Sequence, residues 1–583
     1  MRTVIGGGTL VDGTGAPPKP ADVLIEGQKV VEIGTPGAFA AVQADHIDAS
    51  GCIVTPGFID PHTHYDGQAT WDDELAPSCI HGVTTAVMGN CGVGFAPARP
   101  HERQYLIELM EGVEDIPGSA LNVGIKWEWE SFPEYLDALE RKKRKIDIAA
   151  QLPHGPLRLY AFGQDSNVNA PANAKQIDHM AALAREAAEA GAFAFSTNRI
   201  ALHTSLNGEA VPGTFAEHAE MLAIAKAVKE GGASLIQVVP QGLMGEDPSG
   251  FEREVALYRD VSLETGCTVL FVLSSNNVQP DHWRKLLDEA DRANQQGAKL
   301  VAAVSNRPGG ILMSWESFNI FMDRPSYVEI AHLPLKERVQ ALREPKRRER
   351  ILSELPQKQQ LRNALTIVNR AVDSTYFLQG SLDLEPDPET SFGAYVRKKG
   401  GDVEAVMYDA LCELAENAPS GAATGFLHIY MGGYAKGNLD TIGEIMSHPN
   451  TVIGTADGGA HVNVICDASY PSFMLQHWVR DRSRGPRIPL ELAIRKLSND
   501  PARLYGFADR GMLEPGKRAD LNIIDLDNLK LHLPRVVKDL PTGAPRLLQA
   551  VTGFNLTMVA GETTFRNGAA TEALPGCLVR RSA

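Results

Sequence analysis

Short apolar runs recur along this chain, separated by longer stretches in which apolar residues return every three or four positions. The first pattern reads as strand and the second as helix. Predicted strands are Gly82–Gly89, Asp147–Leu152, Ala192–Ser196, Leu235–Val239, Thr268–Leu273, Leu300–Val304 and Val452–Thr455, with helical text between them, such as Ala172–Ala190 and Thr214–Gly231. Strand alternating with helix predicts an α/β fold around a parallel sheet. The two ends follow a different rhythm. From Thr3 to about Val54 there are only short strands and turns, with Gly27 placed as a hairpin turn, and the segment 557–568 repeats that hairpin pattern. Such strands have no core of their own and need a partner sheet, so the two chain ends are expected to pack together.

One long segment does not fit a minimal alternation. Residues 310–430 carry Trp315, Phe318, Phe321 and Tyr327, a charged helical stretch Leu335–Leu352, and an acidic turn with prolines at 382–389. An insertion of that length is a lid or an oligomer contact more often than free linker, and a lid is the favoured reading. The basic run Arg141–Lys145 is expected to be a solvated helix terminus favoured by the helix dipole.

The chemistry concentrates at predicted strand ends. In Ile53–His64 an apolar run closes on Asp60-Pro61-His62-Thr63-His64. Side chains alternate faces on an extended chain, so His62 and His64 point the same way and can grip one cation. His62, His64, Cys91, His154, Arg199, Arg307 and Asp457 all fall at the carboxyl ends of predicted strands, the rim that carries function in a (β/α)₈ barrel.

Asp457 ends a strand among small residues and can approach a reacting water closely. A metal ion beside such a carboxylate would supply a strong nucleophile at neutral pH by lowering the pKa of water to about 7.

The segment from Pro56 to His64 resembles the first-strand signature of the amidohydrolase superfamily, and Gly82–Gly92 looks like its N-acyl-D-amino-acid deacylase branch. The segments 511–525 and 557–568 resemble those with which such chains return from barrel to sandwich. The resemblance implies a distorted (β/α)₈ barrel over 55–505, with the insertion at about 310–430, and a small β-sandwich from 1–54 and 506–583. It also implies that His62, His64 and Asp457 hold a catalytic zinc ion, with Cys91 as fourth ligand or near neighbour. Asp457 would take a proton from water and pass it to the leaving nitrogen.

Where the family carries two further histidines, this chain has Gln237 and the pair Ser274 and Ser275. These are poor zinc ligands, which favours one ion per chain over two. The implied activity is cleavage of a non-peptide C–N bond in a small molecule, foremost an N-acyl-D-amino acid or related N-acyl compound. A cyclic-amide or carbamate hydrolase on the same fold, and a catalytically reduced barrel serving as a scaffold, are the alternatives. Arg199 and Arg307 are candidate clasps for a substrate carboxylate, with structural ion pairs as the competing role. His154 or His203 is a candidate to polarise the scissile carbonyl, with a satisfied core histidine as the competing role.

Composition narrows the partners. Across 583 residues the formal net charge is −16 and the pI near 5.5, which argues against a nucleic-acid or anionic-membrane partner. Seven scattered cysteines with no paired spacing point to a reducing cytoplasm. No run approaches membrane-spanning length and the first residues do not read as a signal peptide. The expectation is a soluble cytoplasmic enzyme, able to form a homo-oligomer.

Overall fold

The computed structural model describes residues 2–163, 167–417 and 424–581. Eight short strands, all parallel, organise its centre: β1 (Phe58–Thr63), β2 (Val83–Met88), β3 (Asp147–Ala150), β4 (Phe195–Asn198), β5 (Leu235–Val239), β6 (Thr268–Val272), β7 (Leu300–Val304) and β8 (Thr451–Ile453). Each pairs with the next in register, as Ser196 with Gln237 and Gln237 with Leu270. The step from β3 to β4 is made just past β3, where Leu152 N donates to Ala194 O and Phe193 N to Ala150 O. Beyond β8, Gly458 bridges Thr63 in parallel sense and accepts from His64 N at 2.7 Å. The pairing therefore returns to β1. Every residue of β1, β2 and β5 is buried, as expected for parallel strands covered on both faces.

Helices cover the strands. Ala174–Glu189, which begins on an Asn173–Gln176 capping box, precedes β4, and His218–Glu230 precedes β5. The predicted β4 lies three residues too early, because Ala192–Ala194 already bond across to the segment after β3 before the regular ladder starts.

The chain ends interleave. One sheet runs in the order 569–570, 562–566, 554–559, 521–524, 53–56, 9–10, 19–20, and a second in the order 29–34, 22–26, 2–6, 45–48. Ile5, Val23 and Ile25 of the second share one buried apolar core with Val54, Leu521, Ile523 and Leu556 of the first. Truncating any one of these to alanine would cost about 2–5 kcal/mol. The basic run after Phe132–Glu140 departs from expectation. Arg144 and Lys145 are buried, Arg144 caps the helix by donating to Leu139 O at 2.9 Å, and Lys145 reaches Thr571 O. Binding the C-terminal tail outweighs solvation there.

The insertion builds its own core around Trp315, Phe321, Tyr327 and Tyr408, beside an antiparallel sheet ordered 310–313, 426–430, 375–378. Its charged stretch is two helices, Leu335–Leu342 and Pro345–Ser353, because Pro345 cannot donate to a continuing helix and biases Glu344 to extended backbone. The acidic turn docks through Glu385, which accepts from His477 Nε2 at 3.1 Å, Arg482 Nε at 3.1 Å and Leu439 N at 2.8 Å. Among the described residues no helix is long and apolar enough to cross a membrane.

Burial pushes the Glu385 carboxyl up, but His477 and Arg482 outweigh it and hold the group at about 2, below the usual 4.5. A depressed folded pKa stabilises above the unfolded value and is lost as pH falls, here between about 4.5 and about 2. The gap corresponds to roughly 3 kcal/mol. Glu385→Gln is expected to lower the thermal midpoint at pH 7, with the difference from wild type shrinking as pH is brought from 5 to 2.5. An equal difference at both ends of that range would remove Glu385 as an ionic anchor.

Candidate metal centre

The exit from β1 sets the first two ligands. Asp60 Oδ1 accepts from His62 N at 3.3 Å and Oδ2 accepts from Ser78 Oγ at 3.0 Å. These bonds fix the strand end and turn the two imidazoles into the same space, their centroids 5.4 Å apart. Burial raises the Asp60 carboxyl to about 7.

The exit from β2 supplies the third group. Asn90 Nδ2 donates to Thr63 O at 3.1 Å and to Val87 O at 3.0 Å, tying this loop to β1. Gly89 has φ +84° and packs so closely that a Cβ there would lie 2.5 Å from Gln151 O. Cys91 follows with φ +55°, its N–H donating to Gln237 Oε1 at 3.1 Å. Gln237, at one of the positions where histidine was expected for a second ion, thus serves the Cys91 backbone.

The exit from β8 supplies the fourth. Asp457 has φ +48° and its Oδ1 lies 3.2 Å from His62 Nε2 and 3.6 Å from His64 Nε2. Cys91 Sγ lies 3.2 Å from His62 Nε2 and 3.7 Å from His64 Nε2. His62, His64 and Cys91 form the one group of three metal-ligating side chains within mutual reach among the described residues. Ligand atoms about 2.0–2.3 Å from a shared tetrahedral ion would be roughly 3.3–3.8 Å apart, and the contacts of both imidazoles with the Cys91 sulfur, and of both with the Asp457 carboxylate, are close to that length. Burial pushes the Asp457 carboxyl up, but the His62 and His64 contacts overcome it and hold the group well below the usual range. Burial, then Glu114 and Asp457, raises the Cys91 thiol far above its ordinary value. A cation in reach of the sulfur would reverse that shift.

The remaining candidates separate. His154 is fully buried, with Nδ1 2.8 Å from Thr197 Oγ1 and Nε2 2.9 Å from Glu220 Oε1, and Glu220 is also paired with Arg158. Both ring nitrogens are engaged within the protein. Arg199 donates to Glu254 Oε2 at 2.6 Å and to Ala216 O at 2.8 Å. Arg307 donates to Ser469 Oγ at 2.6 Å and to Cys466 O at 3.1 Å, with Nε 3.3 Å from Asp467 Oδ1. It nevertheless lines, with Ser274, Ser275, Asp457 and Asp467, a cleft of about 160 Å³. His203 has an unpartnered buried Nδ1. Burial, then His461, lowers its pKa to about 4, while the Asp457 charge opposes the shift.

Sequence reasoning missed two groups at this place. Glu114, the last residue of the helix Arg103–Glu114, is buried 3.5 Å from His64 Nδ1, and His461 stands 3.5 Å from its other oxygen. His461 is four residues beyond Asp457 in a glycine-rich turn, a spacing that would have flagged it. Glu114 carries no such signal.

Side chains from three strand exits meet here, His62, His64 and Cys91 within mutual reach and Asp457 against both imidazoles, which makes this the candidate metal centre. A model of the amidohydrolase family matches residues 45–565, and the chain belongs to that family. It is a hydrolase acting on carbon–nitrogen bonds other than peptide bonds. Among curated relatives, the N-acyl-D-glutamate deacylase of Alcaligenes xylosoxydans xylosoxydans is 27% identical over all of this chain and 97% of its own. The D-aminoacylase of the same organism is 34% identical over 33% of this chain and 37% of its own. A solved N-acyl-D-glutamate deacylase from Bordetella bronchiseptica, complexed with zinc and a phosphonate inhibitor, superposes with TM-score 0.62 at 24% identity, covering 99% of both chains. A D-aminoacylase structure gives TM-score 0.64 at 20% identity with the same coverage. At these identities the superpositions show a shared α/β fold.

His62→Ala and His64→Ala are expected to lower the affinity for a divalent cation at least tenfold. His154→Ala is expected to keep the cation and lower the thermal midpoint. Metal quantification after dialysis, with thermal unfolding in parallel, reads both; loss of the cation from His154→Ala would move that residue into the centre.

Proposed function

We propose that this chain is a zinc-dependent amidohydrolase that deacylates an N-acyl-D-amino acid or a related N-acyl compound. The observation that carries the reading is the approach of Asp457 Oδ1 to both His62 Nε2 and His64 Nε2, at 3.2 and 3.6 Å, the same two nitrogens that the Cys91 sulfur approaches. We read the eight central strands as a distorted (β/α)₈ barrel over 55–505, with the insertion at 310–430, and the interleaved ends 1–54 and 506–583 as a β-sandwich. The returning pairing at Gly458 and the shared terminal core support this reading.

His62, His64, Asp457 and Cys91 would hold one zinc ion. When bound, it supplies Lewis acidity, acidifying water and polarising a carbonyl. The protein's own part follows from its geometry. Asp457, on the cleft side of the imidazoles, accepts the proton of the attacking water and returns it to the nitrogen that leaves. Asp60 holds the backbone of His62, and Asn90 with Gln237 holds that of Cys91. A second ion is disfavoured because Gln237 Oε1 is spent on the Cys91 N–H and serine stands at 274 and 275. His203, with an unpartnered buried Nδ1 and within electrostatic reach of His461, Asp457, His64 and His62, is the better of the two sequence candidates for contact with the scissile amide.

One observation favours a second reading, a cyclic-amide or carbamate hydrolase. Both candidate carboxylate clasps are already paired, Arg199 with Glu254 and Arg307 with Asp467, which suits a substrate without a free carboxylate.

Asp457→Asn should retain the fold and much of the zinc while lowering kcat at least about 100-fold; an undiminished rate would end its role as base. A screen of paired D- and L-N-acyl amino acids against hydantoin-like rings, on zinc-loaded protein, decides between the two readings.

A further inference from the structure

Glu114 lies outside the ligand cluster, yet its carboxylate spans two imidazoles. Oε1 is 3.5 Å from His64 Nδ1 and Oε2 is 3.5 Å from His461 Nε2. The side chains of His64 and Glu114 are 0% and 2% exposed, whereas that of His461 is 30% exposed. Of the three, only His461 reaches open space. Its Nδ1 has no hydrogen-bond partner among the described residues, so one ring nitrogen faces the carboxylate and the other is available.

The backbone holds this ring in place at a cost. His461 has φ +48°, a conformation that costs a non-glycine residue about 1–3 kcal/mol and persists only where the surroundings impose it. Here they do: its N–H donates to Glu114 O, and its carbonyl accepts from Val464 N at 2.8 Å and Ile465 N at 3.0 Å. Glycine occupies positions 458 and 459 of the same turn and would adopt this φ without strain, so the imidazole itself is what the strain retains. Asp115, next to Glu114, also has positive φ, at +51°. Both anchors of the contact are therefore set in tight turns.

We propose that His461 is a catalytic residue, held by Glu114 so that its free ring nitrogen meets the amide of the substrate beside Asp457. This rests on the amidohydrolase reading above. It places His461 at the amide in addition to His203, since His154, engaged on both nitrogens, is not free. Glu114 is the positioning residue. A carboxylate that orients an imidazole against the reacting group is a recurrent arrangement, and long contacts in such sites shorten when ligand binds. Because the same carboxylate faces His64 Nδ1, it also steadies a metal ligand, a role whose loss typically costs 10- to 100-fold in metal affinity.

The test uses the full chain loaded with zinc, the best substrate from the screen, and the phosphonamidate analogue of that substrate as a tetrahedral mimic. His461→Ala should lower kcat/KM about 100-fold with zinc content unchanged. Affinity for the phosphonamidate should fall at least tenfold while that for the released amine changes less than twofold. Glu114→Gln should reproduce the phosphonamidate loss and in addition weaken zinc about tenfold in a chelator competition. His461→Asn serves where the alanine variant fails to fold.

Full kcat/KM and full phosphonamidate affinity in the His461 variant would overturn the proposal, as would equal loss of both ligands, the mark of a merely structural residue. A wild-type chain that takes up zinc yet turns over no substrate and binds no phosphonamidate would remove the amidohydrolase reading, and this inference with it. An active wild type with an unimpaired variant would remove the inference alone.

Discussion

A single backbone hydrogen bond, from His64 N to Gly458 O at 2.7 Å, carries more of this structure than its strength suggests. It joins the exit of the first central strand to the exit of the last, across almost four hundred residues of chain. It fixes the strand exit that carries His62 and His64 against the one that carries Asp457, whose Oδ1 lies 3.2 and 3.6 Å from the two imidazoles. Two glycines make the approach possible: a Cβ on Gly458 would lie 2.5 Å from Ser78 Oγ, and one on Gly459 would lie 2.7 Å from the Tyr65 ring. The centre therefore depends on a packing condition met by residues with no chemistry of their own.

Backbone strain follows the same geography. Among the described residues, Cys91, Asp115, Asp457 and His461 are four of the eight non-glycine positions with positive φ, and all four lie at or beside the candidate metal centre. Each turn aims a side chain where an ordinary strand exit would not. The cost is met by the closely packed strands beneath, whose residues are buried almost without exception. A rigid ring under a strained rim is the division of labour expected where ligands must be preorganised.

The insertion and the terminal sheets serve the centre indirectly. The insertion has its own aromatic core, yet the acidic turn at Glu385 ties it to His477 and Arg482, in the segment beyond the loop that carries Asp457. Through Arg307 and Asp467 that same region lines the cleft at Asp457. The arginine is held by Ser469, Cys466 and Asp467, so the polarity of the cleft is decided jointly by β7 and by the loop after β8.

The sequence alone determined the strand and helix alternation and the pairing of the two chain ends, and it singled out His62, His64, Cys91 and Asp457, which the fold brings together. Periodicity and strand-end motifs are local properties, and local properties survive in a one-dimensional text. Only the tertiary structure decided that His154 is locked by Thr197 and Glu220, that Arg199 belongs to Glu254, that Arg144 is buried, and that one carboxylate, Glu114, contacts both His64 and His461. Each of those is settled by which distant side chain arrives at hydrogen-bonding distance. Partners drawn from separate helices and loops leave no spacing along the chain by which they could have been read.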